Sequence, residues 1–124
     1  MPADATAEAW PVEIRLSAAR DRLVVAFDDG ARFEIPAELL RVESPSAEVQ
    51  GHGPGEKKLV AGKRGVAIVS VEPVGNYAVR LAFDDGHATG IYAWRYLREL
   101  GRDAGTLLAL YRARLAEAGL APDP

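Results

Sequence analysis

Two aspartate pairs, two histidines and one glycine-rich stretch are the parts of this chain that could do chemistry. Asp28-Asp29 and Asp84-Asp85 have the look of carboxylate dyads. General acid–base work needs two carboxylates converging on one site, whereas neighbours on a strand point to opposite faces. Each pair is followed by glycine, and Asp-Gly between apolar runs marks a tight hairpin turn. The turn role accounts for both pairs.

The stretch Gly51-His52-Gly53-Pro54-Gly55-Glu56-Lys57-Lys58 invites comparison with a phosphate-binding loop. That loop needs Lys and then Ser or Thr straight after its last glycine. Here Glu56 follows Gly55 and Lys58 stands where the hydroxyl residue belongs. Pro54 also removes a backbone N–H from the cradle. A turn that lets the backbone pass close to the core or to a partner fits better. The histidines, His52 and His87, are followed by Gly-Pro and Ala-Thr, so neither begins the His-x-Asp/Glu set of a facial iron triad. Ser17, Ser44, Ser46 and Ser70 lie outside any Gly-x-Ser-x-Gly elbow. His87 follows a hairpin turn directly. It reads as the start of a strand and as a hydrogen-bonding residue, since an isolated histidine lacks the orienting partner that catalysis requires.

Composition narrows the classes further. The chain has 124 residues, 48% of them hydrophobic, which is one domain with apolar mass for one core. It has no cysteine, so disulfides, thiol nucleophiles, thiolate zinc sites and ligated clusters are excluded. No apolar run approaches the ~20 residues that span a bilayer. The start, Met1-Pro2-Ala3-Asp4-Ala5, has no basic segment leading into an apolar one, so the expected location is the cytoplasm, with no membrane contact. Residues 1–50 carry ten acids against five bases, and residues 51–100 carry five against seven. The basic excess is Lys57, Lys58, Lys63 and Arg64, too few charges and without interleaved aromatics for a nucleic-acid surface.

The elements that must position these residues follow from periodicity. Val12, Ile14 and Leu16 alternate with Glu13, Arg15 and Ser17, which predicts a strand with one wet face. Leu23, Val25 and Phe27 predict a second strand, and Phe33 and Ile35 its hairpin partner. Pro36 opens a short helix over 36–41, stopped before Pro45. Residues 44–65 read as a long loop, with a brief strand at Leu59-Val60; loops of that length are often functional. Val66–Val71 reads as a buried strand ended by Pro73 and Gly75-Asn76. Strands over 77–83 and 88–92 flank the second Asp-Gly turn. A helix over 93–100 has Gly101 just past its end. Asp103 caps a last helix whose stripe is Leu107, Leu108, Tyr111 and Leu115, closed by Gly119. The fold class is therefore α+β, mainly antiparallel strands with two short helices and a C-terminal helix.

The chain also repeats itself. Phe27-Asp28-Asp29-Gly30 recurs as Phe83-Asp84-Asp85-Gly86, and each copy leads to a strand with an isoleucine (Ile35, Ile91) and a helix ending near Leu-Arg (Leu40-Arg41, Leu97-Arg98). Two strand–turn–strand–helix units are expected, too few copies for a solenoid.

Three separated stretches carry a family resemblance. They are Leu39 through Gly53; Val74-Gly75-Asn76-Tyr77-Ala78-Val79; and Phe83-Asp84-Asp85-Gly86-His87 with Gly90-Ile91-Tyr92 and Trp94-Arg95-Tyr96-Leu97. Together, over about Val12 to Gly101, the chain resembles the gamma-butyrobetaine hydroxylase-like N-terminal domain family, whose small bacterial members are standalone domains of unknown function. The resemblance implies a compact antiparallel α+β domain at 11–101. Residues 1–10 would be a flexible lead-in, 102–120 a helix packed on the domain, and 121–124 a tail. In the hydroxylases the iron- and 2-oxoglutarate-dependent chemistry belongs to a separate catalytic domain, which this chain is too short to hold, so hydroxylation is not carried over. The hydroxylases hold a structural zinc through Cys-x-Cys-x-x-Cys and a histidine. Those positions fall here on Ser44, Ser46, Val49 and His87, so no metal and no cofactor are expected. His87 would instead fasten the Ser44–Ser46 loop by a hydrogen bond. Other members are similar to domains appended to Mrp-type ATPases that carry iron–sulfur clusters.

The expected function is a non-enzymatic interaction or accessory module. It would dock a protein partner, such as an Mrp-type iron–sulfur carrier ATPase or an iron-dependent oxygenase, through Arg41, Ser44, Ser46, Glu48, Gln50, His52, Asn76, Tyr77 and His87. The alternative is a small-ligand or enzymatic cleft using Glu48, His52 and His87, which requires the three to converge. A homodimer through Trp94, Tyr96 and the Leu107–Leu115 stripe is compatible with the first reading.

Overall fold

The computed structural model describes residues 9–51, 55 and 57–123. It holds two three-stranded antiparallel sheets and four helices among those residues. The first sheet has the order β1 (Pro11–Leu16), β2 (Arg22–Phe27), β3 (Arg32–Pro36), followed by α1 (Ala37–Val42) and α2 (Ala47–Gln50). The second has β4 (Ile68–Val74), β5 (Ala78–Phe83), β6 (Gly90–Ala93), followed by α3 (Trp94–Arg102) and α4 (Ala104–Glu117). The α+β class is as expected, with one short helix more than the periodicity predicts. No described helix is long and apolar enough to cross a membrane.

The repeat goes deeper than the sequence suggests. In both hairpins the first aspartate anchors the edge strand: Trp10 N–H donates to Asp28 Oδ1 at 3.3 Å and Ala67 N–H to Asp84 Oδ1 at 3.1 Å. The second aspartate closes the turn, with Ala31 N–H donating to Asp29 Oδ1 and His87 N–H to Asp85 Oδ1. Gly30 and Gly86 supply the positive φ, 93° and 92°. Each turn is then clamped by the other unit's helix. Arg41 of α1 donates to Asp85 Oδ2 at 2.7 Å, and Arg98 of α3 holds Asp29 through both terminal nitrogens. The acid pairs are turn residues, as expected.

The matching corrects several expectations. Ile35 faces Leu23 in the first sheet and Tyr92 faces Val79 in the second, so Tyr92, not Ile91, is the counterpart of Ile35. Ile35 and Tyr92 are fully buried, whereas Ile91 points outward. The first edge strand of each sheet carries a bulge, between Pro11 and Glu13 in β1 and between Ile68 and Ser70 in β4. The bulge turns Val12 and Val69 to solvent, so Val12 leaves the inward face assigned to it and Val66–Val71 is not a buried strand. Pro73 does not end β4; an edge strand tolerates its missing N–H. Residues 59 and 60 form no strand, and β6 starts at Gly90, leaving His87 before it. Gly101 lies inside α3, where a Cβ would come within 2.6 Å of Phe33. Asp103 precedes α4 without a side-chain cap bond: its backbone, at φ -106° and ψ 17°, is not the extended conformation of a capping residue, and its carboxylate pairs with Arg102.

One core lies between the sheets and helices, built from residues such as Leu23, Ile35, Leu39, Ile68, Leu81 and Leu97. Helix α4 joins it through Tyr111 and Leu115 and is tied to α1 by Arg112, which donates to the buried Glu38 at 2.5 Å.

Candidate functional site around His87

The chain leaves α1 at Val42 and enters α2 at Ala47, four residues after Glu43. Pro45 blocks continuation of the first helix, and Ser46 starts the second, its hydroxyl accepting from Glu48 N–H at 3.1 Å. The α1–α2 corner sits over the start of β6. Gly90 allows that approach: a Cβ there would lie 2.4 Å from Ser44 Oγ.

His87 is the hub of this corner. Its Nε2 lies 2.9 Å from Ser44 Oγ and its Nδ1 lies 3.1 Å from Glu48 Oε1. Burial, and then the nearby Arg41 charge, push its pKa below the usual histidine value, against the opposing pull of Glu48 and Asp85. The ring is therefore neutral at pH 7. A carboxylate can only accept, so Nδ1 carries the proton and Nε2 accepts from the Ser44 hydroxyl. Ser46 Oγ and Thr89 Oγ1 share a hydrogen bond at 2.8 Å, and Gln50 Nε2 donates to Ser44 O at 2.8 Å. Lys58 N–H donates to Val49 O, and Tyr96 O–H donates to Glu43 O. Asp85 secures the hub from below. Partial burial would raise its pKa, but Lys63, the His87 N–H and Arg41 bring it down to about 2.

The structure thus brings together Ser44, Ser46, Glu48, Gln50 and His87, with Arg41 joined through Asp85. Asn76 and Tyr77 are not part of this group. They lie in the β4–β5 turn, at the opposite end of β5 from His87, where Asn76 O accepts from Trp94 Nε1 and Tyr77 is exposed. His52 lies outside the described residues. The hydrogen bond expected between His87 and the serine loop is present, and His87 has in Glu48 the orienting partner that the sequence reading denied it. Thr89 and Asp85 were missed as members of the site. Asp85 was masked by its turn role, and Thr89 carries no signal of its own.

The family's zinc positions do not fit the ion here. The four positions hold one imidazole, two hydroxyls and a buried valine that offers no donor atom, and Ser46 Oγ is committed to Thr89 and Glu48 N–H. Zinc takes thiolate, imidazole and carboxylate. Among the described residues no group of three or more His, Cys, Asp or Glu could hold a metal ion.

Comparison with known proteins agrees with this architecture. The family model described as gamma-butyrobetaine hydroxylase-like, N-terminal, matches residues 14–98. Two proteins of known NMR solution structure are similar. One is 46% identical over 94% of this chain and 91% of its own, with a TM-score of 0.80. The other is 43% identical over 100% of this chain and 91% of its own, at 0.81. A crystal structure of a protein of unknown function in the DUF971 family, from Acidithiobacillus ferrooxidans, is 43% identical over 73% of this chain and 91% of its own, at 0.61. No curated protein matches. A 46% identical relative with the same fold, and a family model spanning both Asp-Gly turns and the His87 corner, lead to one conclusion: the chain belongs to the gamma-butyrobetaine hydroxylase-like N-terminal domain family.

Proposed function

We propose that this protein is a non-enzymatic docking module and that the face around α2 receives a protein partner. One observation carries the reading. The polar groups of the corner are spent on one another, which fixes a four-residue helix in place while the Glu48 side chain stays 62% exposed. A preformed element that presents an exposed carboxylate suits recognition, because little ordering is required on binding. The family resemblance points to an Mrp-type iron–sulfur carrier ATPase or an iron-dependent oxygenase as the partner. Without cysteine this chain would contribute contact and no cluster ligand. The test is a titration of the isotope-labelled chain with a purified Mrp-type ATPase. Amide shifts should centre on Ala47–Gln50 and Thr89, and Glu48→Arg should abolish them. Shifts confined to another face, or binding indifferent to Glu48→Arg, would refute the reading.

A second reading rests on the order serine, imidazole, carboxylate. Ser44 on Nε2 and Glu48 on Nδ1 reproduce the connectivity of an acyl-transfer triad. Ser44 has no exposed surface, so an acyl group reaches its hydroxyl only after the corner opens. Labelling of Ser44 by a fluorophosphonate probe would favour this reading over docking.

A further inference from the structure

The two units stop matching after their paired helices. Helix α4 runs from Ala104 to Glu117, whereas its counterpart α2 ends at Gln50. The chain beyond α2 comes back past α4 instead, where Tyr111 O–H donates to Val60 O at 2.5 Å. Between residues 57–60 and α4 this leaves a groove of about 410 Å³, within the range of small-molecule sites.

The groove has an apolar lining and a charged rim. Val42, Leu59, Val60 and Ala118 supply apolar surface. Of the charged groups, Lys57 is committed to Glu43 at 2.5 Å. The side chains of Lys58 and Arg114 make no hydrogen bond or ion pair among the described residues, and Glu117 is the one lining acid in the same position. Two free cations against one free carboxylate, beside apolar walls, select an anion with a hydrocarbon body. Arg114 adds a planar fork that matches a carboxylate.

We infer that this groove binds a small molecule carrying a carboxylate on a short apolar body. The groove adjoins the α2 corner through Lys58, whose N–H donates to Val49 O, but its lining contains no residue of α2, so failure of the ATPase to bind would leave it standing. The probes are sodium octanoate, octylammonium chloride and 1-octanol, titrated into the isotope-labelled full chain. Octanoate should shift the amides of Lys58, Leu59, Tyr111 and Arg114, saturating below about 1 mM. Octylammonium should leave them unmoved, and octanol should bind at least about tenfold more weakly than octanoate. Lys58→Gln with Arg114→Gln, both surface changes, should weaken octanoate by about tenfold or more while circular dichroism stays unchanged. Equal responses to octanoate and octanol, shifts centred elsewhere, undiminished affinity in the double variant, or no saturation by about 10 mM would each overturn the inference.

Discussion

Replacing Gly90 with alanine probes how β6 receives the α1–α2 corner. A Cβ at Gly90 would lie 2.4 Å from Ser44 Oγ, 3.0 Å from Tyr92 Cε1 and 3.4 Å from Pro45 Cδ. Gly90 does not need a left-handed backbone, so backbone strain adds nothing to the clash. Ser44 has no free direction to move: it is fully buried and bonded to His87 and to Ser46 N–H. Overpacking costs about 1–3 kcal/mol, and a buried hydroxyl or imidazole left unpaired about 1–3 kcal/mol more. Alanine in a strand returns about 0.5–1 kcal/mol. The net loss is about 1–5 kcal/mol, with a middle value of about 3 kcal/mol and a fall in Tm of roughly 10 °C for a chain of this length. Urea denaturation and calorimetry read both quantities. Adding Ser44→Gly removes the obstructing hydroxyl and should restore part of the loss, the remainder being the missing bond to His87. Gly90→Ala within about 0.5 kcal/mol of wild type would refute the reasoning.

Acid should destabilise the fold in two steps. His87 has a pKa below its ordinary 6.5, so the unfolded chain binds its proton first and stability falls as the pH drops below that value. Asp85 has a pKa of about 2 against an ordinary 3.8, so its contribution is present above pH 3.8 and is lost as the pH falls towards 2. That gap is worth about 2 kcal/mol at most, solvent screening included; Asp85→Asn should cost no more than this at pH 7 and should flatten the lower step in a pH series of urea melts. Leu115→Ala empties a fully enclosed site beneath α4 and should cost about 2–5 kcal/mol by the same melts. A cost under about 1 kcal/mol would mean that α4 does not belong to the core.

Much of this was legible because short-range physics dominates it. Asp-Gly turns and the Gly119 cap depend on neighbours in sequence and formed where the residues imply, and the alternation located the inner strands β2 and β5. The Ser44–His87 bond was reachable through the family's zinc positions, since the loss of thiolates leaves a serine facing the same imidazole. The misses depend on pairing across space. The bulges that expose Val12 and Val69 are set by registers in β2 and β5. The match of Tyr92 to Ile35 needs one extra residue before β6, which a comparison at fixed spacing from the turn cannot absorb. Helix α2 is too short for periodicity to show, although Ser46 ahead of Ala47-Glu48-Val49-Gln50 is a usable start signal. Tyr77 and His87 are expected on one docking surface, but they lie at the two ends of β5.

Hydrogen exchange at Val49, Gln50 and Gly51 is the most direct measure of whether His87 holds the α2 corner without an ion. These amides donate to Ser46 O and Ala47 O within the short helix, and nothing in a four-residue helix protects them by itself. With a chelator present throughout, wild type should keep them protected, and His87→Ala should speed their exchange by about tenfold or more while β2 and β5 stay slow. Loss of protection in wild type on adding the chelator, or unchanged exchange in His87→Ala, would contradict the account.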